Sequence, residues 1–431
     1  MRVISSLILL LFLFFPTSAH AVLGDCNTST VQTAVNAAAT GDIIVCPAGS
    51  YTWSGLSVSK AITLQGAAGN STAITLTASN TFTKSASGLM KITGFTINSS
   101  TGSATNQWLQ IAGSWKAARP IIWTNNIITV NGGLFNISVT GGVIWSGNTI
   151  TTVGSADSIF HIKNPSDSDG SWTNVDTMGT NDTASRLSGT VGGTSGELNL
   201  YIEDNTITGG TTQGLDCDDA CRIVFRNNAT TNFRFNSHGL GTSAVGARHW
   251  ELYSNDMRSS CSSGTDCGAL SNLQQFITMR GGTGVIYNNT TDNLRNSTWG
   301  DKKEVLFGQD SNHDSAAVNC QPVPGPYPLS HQLGWGYNGT SQFLDPIYLW
   351  NNSVRSNGSS PFLFDLTVGW FYTCPLDINN YVQSGREYFN NSGSTTPTKP
   401  GYTAFTYPHP LLGGGGPDTT PPSTPTGFTV R

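Results

Sequence analysis

One short unit recurs through residues 198–292. LNLYIEDNTI, RIVFRNN, HWELYSND and GVIYNN are each a run of apolar residues closed by an Asn-containing turn. Runs of this length, rich in Ile, Val, Phe and Tyr and punctuated by Asn, read as strands. Their recurrence every 20 to 35 residues or so is the mark of stacked supersecondary units. Such a unit buries its apolar face only against the units before and after it, so the chain must wind into a solenoid of β-coils.

The turn residue can be followed beyond that stretch. Asn126 (WTNN), Asn148 (WSGN), Asn205 (IEDN), Asn228 (FRNN), Asn289 (YNN), Asn352 (WNN) and Asn391 (FNN) recur, and Asp256 (YSND) takes the equivalent place after HWEL. Steps of 22, 23, 28 and 33 residues fit one coil each, and steps of 57 and 63 imply coils with insertions. An Asn repeated at one corner satisfies turn amides that no neighbouring strand reaches, so these residues are read as a structural ladder. Residues 164–196 and 299–344 are the expected insertions. In the second, Trp299, Tyr327, Trp335 and Tyr337 are expected either to pack the loop itself or to offer flat faces to sugar rings.

Composition agrees with many tight turns. Charged residues make up 11% of the chain and Gly 49 of 431 positions, where about a quarter charged is usual. The formal charge of −5 gives no general attraction to nucleic acid or anionic membranes, and neither is expected as a partner. Arg2, the apolar residues 4–15, Pro16 and Ala19-His20-Ala21 read as a secretory signal occupying residues 1–21, too short an apolar run to span a membrane. The expected destination is extracellular or periplasmic. Eight Cys in an exported chain point to disulfides, and proximity proposes Cys26 with Cys46, Cys217 with Cys221, Cys261 with Cys267, and Cys320 with Cys374.

After the signal, Val31, Ala34, Val35 and Ala38 fall at helical spacing and Gly41-Asp42 ends the run, which suits a cap over the open end of a solenoid. Residues 43–45 and 61–64 then read as strands. Residues 413–425 are linker-like.

Candidate chemistry comes from aligning FHIKN, LDCDD, FNSHG and ITMRG on their first apolar residue. Lys163, Asp218, His238 and Arg280 then share one place in successive coils, and residues sharing a column lie about 4.8 Å apart. Lys, Asp, His and Arg in one column suit catalysis better than a core. Asp216, Asp218 and Asp219 cluster carboxylate oxygens as Ca²⁺ requires. Residues 222–295 also hold Arg222, Arg226, Arg234, Arg248, Arg258, Arg280 and Arg295 against four acidic residues. Guanidinium forks match carboxylates, so a polyanionic ligand is expected there. In HWEL, His249 and Glu251 alternate with Trp250 and Leu252 and are expected to face outward as a second substrate-binding pair.

Residues 41–51 (GDIIVCPAGSY) followed by 62–66 (ITLQG) resemble the entry of right-handed parallel β-helix proteins of the pectin lyase-like superfamily. The resemblance implies an all-β, right-handed parallel β-helix over residues 22–412, with a short N-terminal capping helix and long loop insertions. The ending DTTPPSTPTGFTV resembles the linker and first strand of a fibronectin type III module. Polygalacturonases of this fold carry paired Asp, then His-Gly one coil on, then an Arg-rich strand. Asp218-Asp219, His238-Gly239 and Arg280 follow that order, whereas the family's preceding Asn-Thr-Asp is missing and the Arg segment reads TMRGG. Pectate lyases imply the other chemistry, with Ca²⁺ as cofactor.

The function expected is a monomeric, secreted enzyme that acts on an acidic polysaccharide, first as a lyase cleaving a uronate polymer by β-elimination. The alternatives are a polygalacturonase-like hydrolase and a non-catalytic glycan-binding or adhesin solenoid.

Overall fold

The computed structural model describes residues 19–413 except 84, 86–87, 101–106, 113–119, 133, 138–141, 154–158, 163–199, 210–213, 218–220, 238–246, 248, 260–274, 293–304, 310–331, 338–341, 356–363, 369–377, 397–398, 401 and 403. Each coil contributes one strand to each of three parallel sheets. The first coil shows the order: Ile43–Val45 in sheet 1, Gly49–Trp53 in sheet 2, Ser57–Val58 in sheet 3, then Thr63–Gln65 back in sheet 1. Among the described residues, sheet 1 has 12 strands and sheets 2 and 3 have 10 each, and consecutive coils are always neighbours. This is the right-handed parallel β-helix that the resemblance implied.

The corner between sheets 1 and 2 is the most regular element. It is two residues long, the first with positive φ: Asn125, Gly147, Asp204, Asn227, Ser254, Asn288 and Asn351. Asn, Asp and Gly tolerate that conformation at least cost, which explains most of the choices. The second residue is an Asn buried in the cylinder: Asn126, Asn148, Asn205, Asn228, Asn255, Asn289 and Asn352. Each of the first six donates its backbone N–H to the side-chain Oδ1 of the Asn one coil on, at 3.0–3.1 Å.

Two expectations about this ladder are corrected. The rung after HWEL is Asn255, because Ser254 takes the positive-φ place and Asp256 begins the sheet 2 strand Asp256–Arg258. Asn391 is not a rung: it ends the sheet 1 strand Tyr388–Asn391 and is exposed.

Inward-facing side chains repeat by column. In sheet 1 Ile92, Trp123, Trp145, Ile202, Phe225, Leu252, Ile286 and Leu349 pair coil to coil, all essentially without exposure. Trp123 stacks on Trp145 with ring centroids 5.0 Å apart. The helix Thr28–Ala37 closes the N-terminal end with Val31 and Val35 buried in the core. Cys26–Cys46 ties that cap to the first coil, and Cys217–Cys221 closes a corner between sheets 3 and 1. Cys261, Cys267, Cys320 and Cys374 lie outside the described residues, as do the insertion 164–196 and the linker from residue 414. Within the expected insertion 299–344, Val305–Gln309 is a regular sheet 3 strand, so the excursion begins only after it. Trp335, in a hairpin that pairs Trp335–Tyr337 with Gln342–Leu344, turns its indole N–H to Glu387 at 3.4 Å. Among the described residues no helix is long and apolar enough to cross a membrane.

Sheet 1 departs from a simple β-helix because its outer face is also covered. Ile122, Ile144, Tyr201, Val224, Tyr253, Val285, Tyr287 and Trp350 form a second apolar cluster on that face. Tyr402, Ala404, Phe405, Leu411 and Leu412 of the C-terminal segment pack over it. This strap accounts for the sheet 1 runs, which are apolar at nearly every position, as expected of a parallel sheet buried on both sides.

Replacing Asn228 by Ala removes the acceptor of Asn205 N and Nδ2 and the donor to Ile202 O. Unsatisfied buried amides then remain, so Asn228→Ala should cost about 2–4 kcal/mol in denaturant unfolding. Asn391→Ala should stay within about 0.5 kcal/mol of the parent.

Candidate active site

Sheet 3 borders every long connection of the solenoid. From Asn125 onward the corners between sheets 1 and 2 are two residues long, whereas the chain between Ile162 and Leu200, between Arg258 and Ile277, and between Gln309 and Ile347 enters or leaves sheet 3. Long connections beside one face of a rigid scaffold are where binding sites form. The outer column of that face is polar. Gln110, Asn136, His161, Asp216, Asn236 and Thr278 pair successively across six coils. Gln110, His161, Asp216 and Thr278 each occupy the middle place of a three-residue pattern whose flanking side chains are buried in the core, as those of Phe160 and Ile162 are around His161.

Three members of this column form a contact group. His161 Nε2 lies 4.0 Å from Asp216 Oδ2, and Asn236 Nδ2 donates to Asp216 Oδ1 at 3.5 Å. Asp216 is therefore held between an imidazole on one coil and an amide on the next. The His161 side chain is 16% exposed and that of Asp216 7%, so the imidazole is the outermost of the three. Asn236 Oδ1 and Thr278 Oγ1 are buried with no hydrogen-bond partner, which leaves two polar atoms on this face available to a ligand. Arg280 follows Thr278 by two residues at the exit of its strand, nearly buried, with its N–H on Ser237 Oγ at 2.7 Å. Arg234 is likewise nearly buried at the entry to Phe235–Ser237, its carbonyl accepting from Leu215 N.

The alignment of FHIKN, LDCDD, FNSHG and ITMRG matches the pairing found: Phe160, Leu215, Phe235 and Ile277 are in register. Of the expected catalytic column, Arg280 is described, and Lys163, Asp218, Asp219 and His238 lie outside the described residues, as does Arg248. Sequence reasoning missed His161 and Asn236. Their signal was present in the same alignment, two places earlier, where a polar residue stands between two core-facing ones. Among the described residues no cluster of three or more His, Cys, Asp or Glu is poised to hold a metal ion. Of the expected Ca²⁺ ligands only Asp216 is described.

The substrate-binding role expected of Arg226, His249 and Glu251 is corrected. All three do face away from the cylinder, but under the strap, with at most 1% exposure. Arg226 donates to Glu203 at 2.7 Å, to the Tyr253 hydroxyl at 2.8 Å, and to the carbonyls of Phe405 and Thr406. His409 N donates to the other Glu203 oxygen at 2.9 Å. The Tyr402 hydroxyl donates to Glu251 Oε2 at 2.8 Å, and His249 Nε2 lies 3.5 Å from Glu251 Oε1. Arg222, paired in register with His249, is 3% exposed and is likewise not presented to solvent. Glu203, Arg226 and Glu251 fasten the strap. Sequence reasoning took the arginines for ligand contacts because nothing in residues 399–413 announces a segment that folds back over sheet 1.

No protein-family model and no curated protein matches the chain. Among solved structures, the chain is similar to the A-module of mannuronan C-5 epimerase from Azotobacter vinelandii, at 11% identity over 81% of this chain and 96% of that one, with a TM-score of 0.26. It is also similar to a family 28 exopolygalacturonase from Yersinia enterocolitica, at 11% identity over 84% of this chain and 79% of that one, with a TM-score of 0.27. At that distance the chemistry of the chain is a matter for its own residues.

The strap carries a titration that can be followed. Burial pushes the Glu251 carboxyl up to about 8, against the lowering effects of the Tyr402 hydrogen bond and the nearby Arg226 and Lys399 charges. Burial, with the Arg226 charge nearby, pushes His409 down to about 3. Between pH 4.5 and 8 the folded chain holds a Glu251 proton that the unfolded chain has lost, so stability falls as pH rises through that window. His409 acts oppositely between pH 3 and 6.5, where the unfolded chain holds the extra proton. The two offset up to pH 6.5, above which Glu251 acts without that counterweight. Glu251→Gln should therefore flatten the decline in thermal midpoint between pH 6.5 and 8, as read by calorimetry in matched buffers.

Proposed function

We propose that the chain is a β-helix enzyme that cleaves an acidic, uronate-containing polysaccharide at the outer face of sheet 3, by β-elimination. The observation that supports this most is the His161–Asp216–Asn236 group, in register on successive coils, with Arg280 and Arg234 at the strand ends beside it. Elimination requires a base for the proton α to the uronate carboxylate, cations to neutralise the charge that develops on it, and a proton, from the imidazolium or from solvent, for the glycosidic oxygen that leaves as the C4–O bond breaks and the C4–C5 double bond forms. His161, the most exposed of the group, is the proposed base. Asp216 orients its ring and stabilises the imidazolium formed when the proton arrives. Arg280, with Arg234, neutralises the enolate-like carboxylate, and a guanidinium does so with two parallel N–H donors.

Elimination stands ahead of hydrolysis on the same ground. Hydrolysis with inversion needs two carboxylates about 6.5–9.5 Å apart. Of the described column His161, Asp216, Asn236 and Thr278, Asp216 alone is a carboxylate, beside an imidazole, so a hydrolase would have to draw its second carboxylate from Asp218 or Asp219. Lys163, Asp218, Asp219 and His238 follow directly along the chain at the exits of these strands and are proposed to complete the groove. Asp216, Asp218 and Asp219 are the proposed oxygen ligands should the activity need Ca²⁺, a hard cation that would bind the substrate carboxylate. Export to the cell exterior or periplasm is proposed from the apolar N-terminus and the disulfides.

Incubation with pectate, alginate and glycosaminoglycans tests the reading. New ultraviolet absorbance from unsaturated ends is the expected product; reducing ends without absorbance would replace elimination by hydrolysis, and binding without product would make the chain an adhesin. His161→Ala and Arg280→Ala should each lower kcat by about 10²-fold or more with the thermal midpoint retained. A chelator should abolish activity, with recovery on added Ca²⁺, if the Asp216 cluster acts as proposed.

A further inference from the structure

The first strand of sheet 1 is His20–Val22, paired in parallel with Ile43–Val45 so that His20, Ala21 and Val22 face Ile43, Ile44 and Val45. The pairing continues past both ends: Ile43 N donates to Ala19 O and Leu23 N to Val45 O, each at 3.0 Å. Two of the three strand residues belong to the segment that the Ala19-His20-Ala21 pattern would remove with the signal. Removing residues 1–21 would strip Ile43 and Ile44 of their partners, giving up two of the three register pairs and leaving Val45 alone held, by Val22 and Leu23.

We infer that the export signal is cleaved between Ala19 and His20, so that His20–Val22 stays in the mature chain as the first strand of sheet 1. The inference rests on the secretory reading of residues 1–18. The same peptidase requirement, small residues one and three places before the cut, is met by Thr17 and Ala19 as well as by Ala19 and Ala21. Placement separates the two cuts. The Ala21–Val22 bond lies inside the paired strand, whereas Ala19–His20 lies at its mouth, with all four of these residues exposed to solvent. The earlier cut keeps all three register pairs. It gives up only the bonds of Ala19, whose N–H donates to Asp42 Oδ1 at 3.0 Å and whose carbonyl accepts from Ile43 N. Hydrolysis adds water across the amide, leaving a carboxylate on Ala19 of the released signal and an ammonium on His20. That ammonium arises one residue from where Asp42 now accepts a hydrogen bond, so the carboxylate is left beside a positive charge.

The test is to express the full chain in a secreting bacterial host, purify the exported protein, and determine its N-terminal residue by sequencing and intact mass. His20 is the expected terminus. Val22 would overturn the inference, and a chain still beginning at Met1 would overturn the secretory reading along with it. Two variants sharpen the outcome. Thr17→Arg removes the small residue that the proposed cut requires and should abolish the His20 terminus, whereas Ala21→Arg spoils the later cut and should leave His20 in place. A His20 terminus that persists in Thr17→Arg would show that Thr17 does not direct the cut and would overturn the assignment.

Discussion

The solenoid depends on the hydrogen bond that each corner Asn accepts from the Asn one coil below. A two-residue corner leaves backbone amides that no strand can reach, and burial makes leaving them unpaired costly. The Asn side chain answers both needs at once, accepting from the corner amide of the preceding coil and donating to a carbonyl of that same coil, as Asn228 does with Asn205 and Ile202. Because the pattern repeats at one corner, the coils are held in angular register there. The strands that follow in sheets 2 and 3 inherit that register, and so do the side chains that face outward from sheet 3. The distance between His161 and Asp216, which belong to strands 55 positions apart in the chain, is set this way.

Much of this could be read from the residues, and the reasons for the gaps are physical. The ladder was legible because Asn, Gly and Asp are the residues that tolerate positive φ and so mark the corner. The slip at YSND arose because both Asn255 and Asp256 suit a turn, and only the two-residue geometry separates them. The sheet 3 register was legible from Phe160, Leu215, Phe235 and Ile277, since a core-facing column must stay apolar. The same alternation holds for His161 and Asn236, but sequence reasoning settled on the positions two residues on and passed over them, because period-2 patterning places both on the same face.

The strap was not legible, for a different reason. Residues 399–413 carry no periodicity, and their contacts lie more than 150 positions away in several cases, as between Tyr402 and Glu251. Sequence patterning reports local faces, and a segment whose regular structure among the described residues is the single 3-10 turn Pro410–Leu412 leaves no such trace. The complementary signal lay in its partner. IIWT, LYIE, RIVFR, HWELY and TGVIY lack the polar alternation of a sheet with one wet face, and every residue of these strands is buried. Arg226 and Glu251 were misassigned as ligand contacts for the same reason: a charge in such a strand implies a partner laid across it.

A stack in which each coil touches only its neighbours can fray from an end or open at a weak point without disturbing the remainder. The strap changes that. Through Glu203, Arg226, Glu251, Tyr287 and Trp350 it touches five successive coils of sheet 1, so opening any one of them strains contacts shared by the other four. A modular column is thereby converted over this span into a single cooperative block, and that block carries on its sheet 3 side the coils of Asp216 and Asn236.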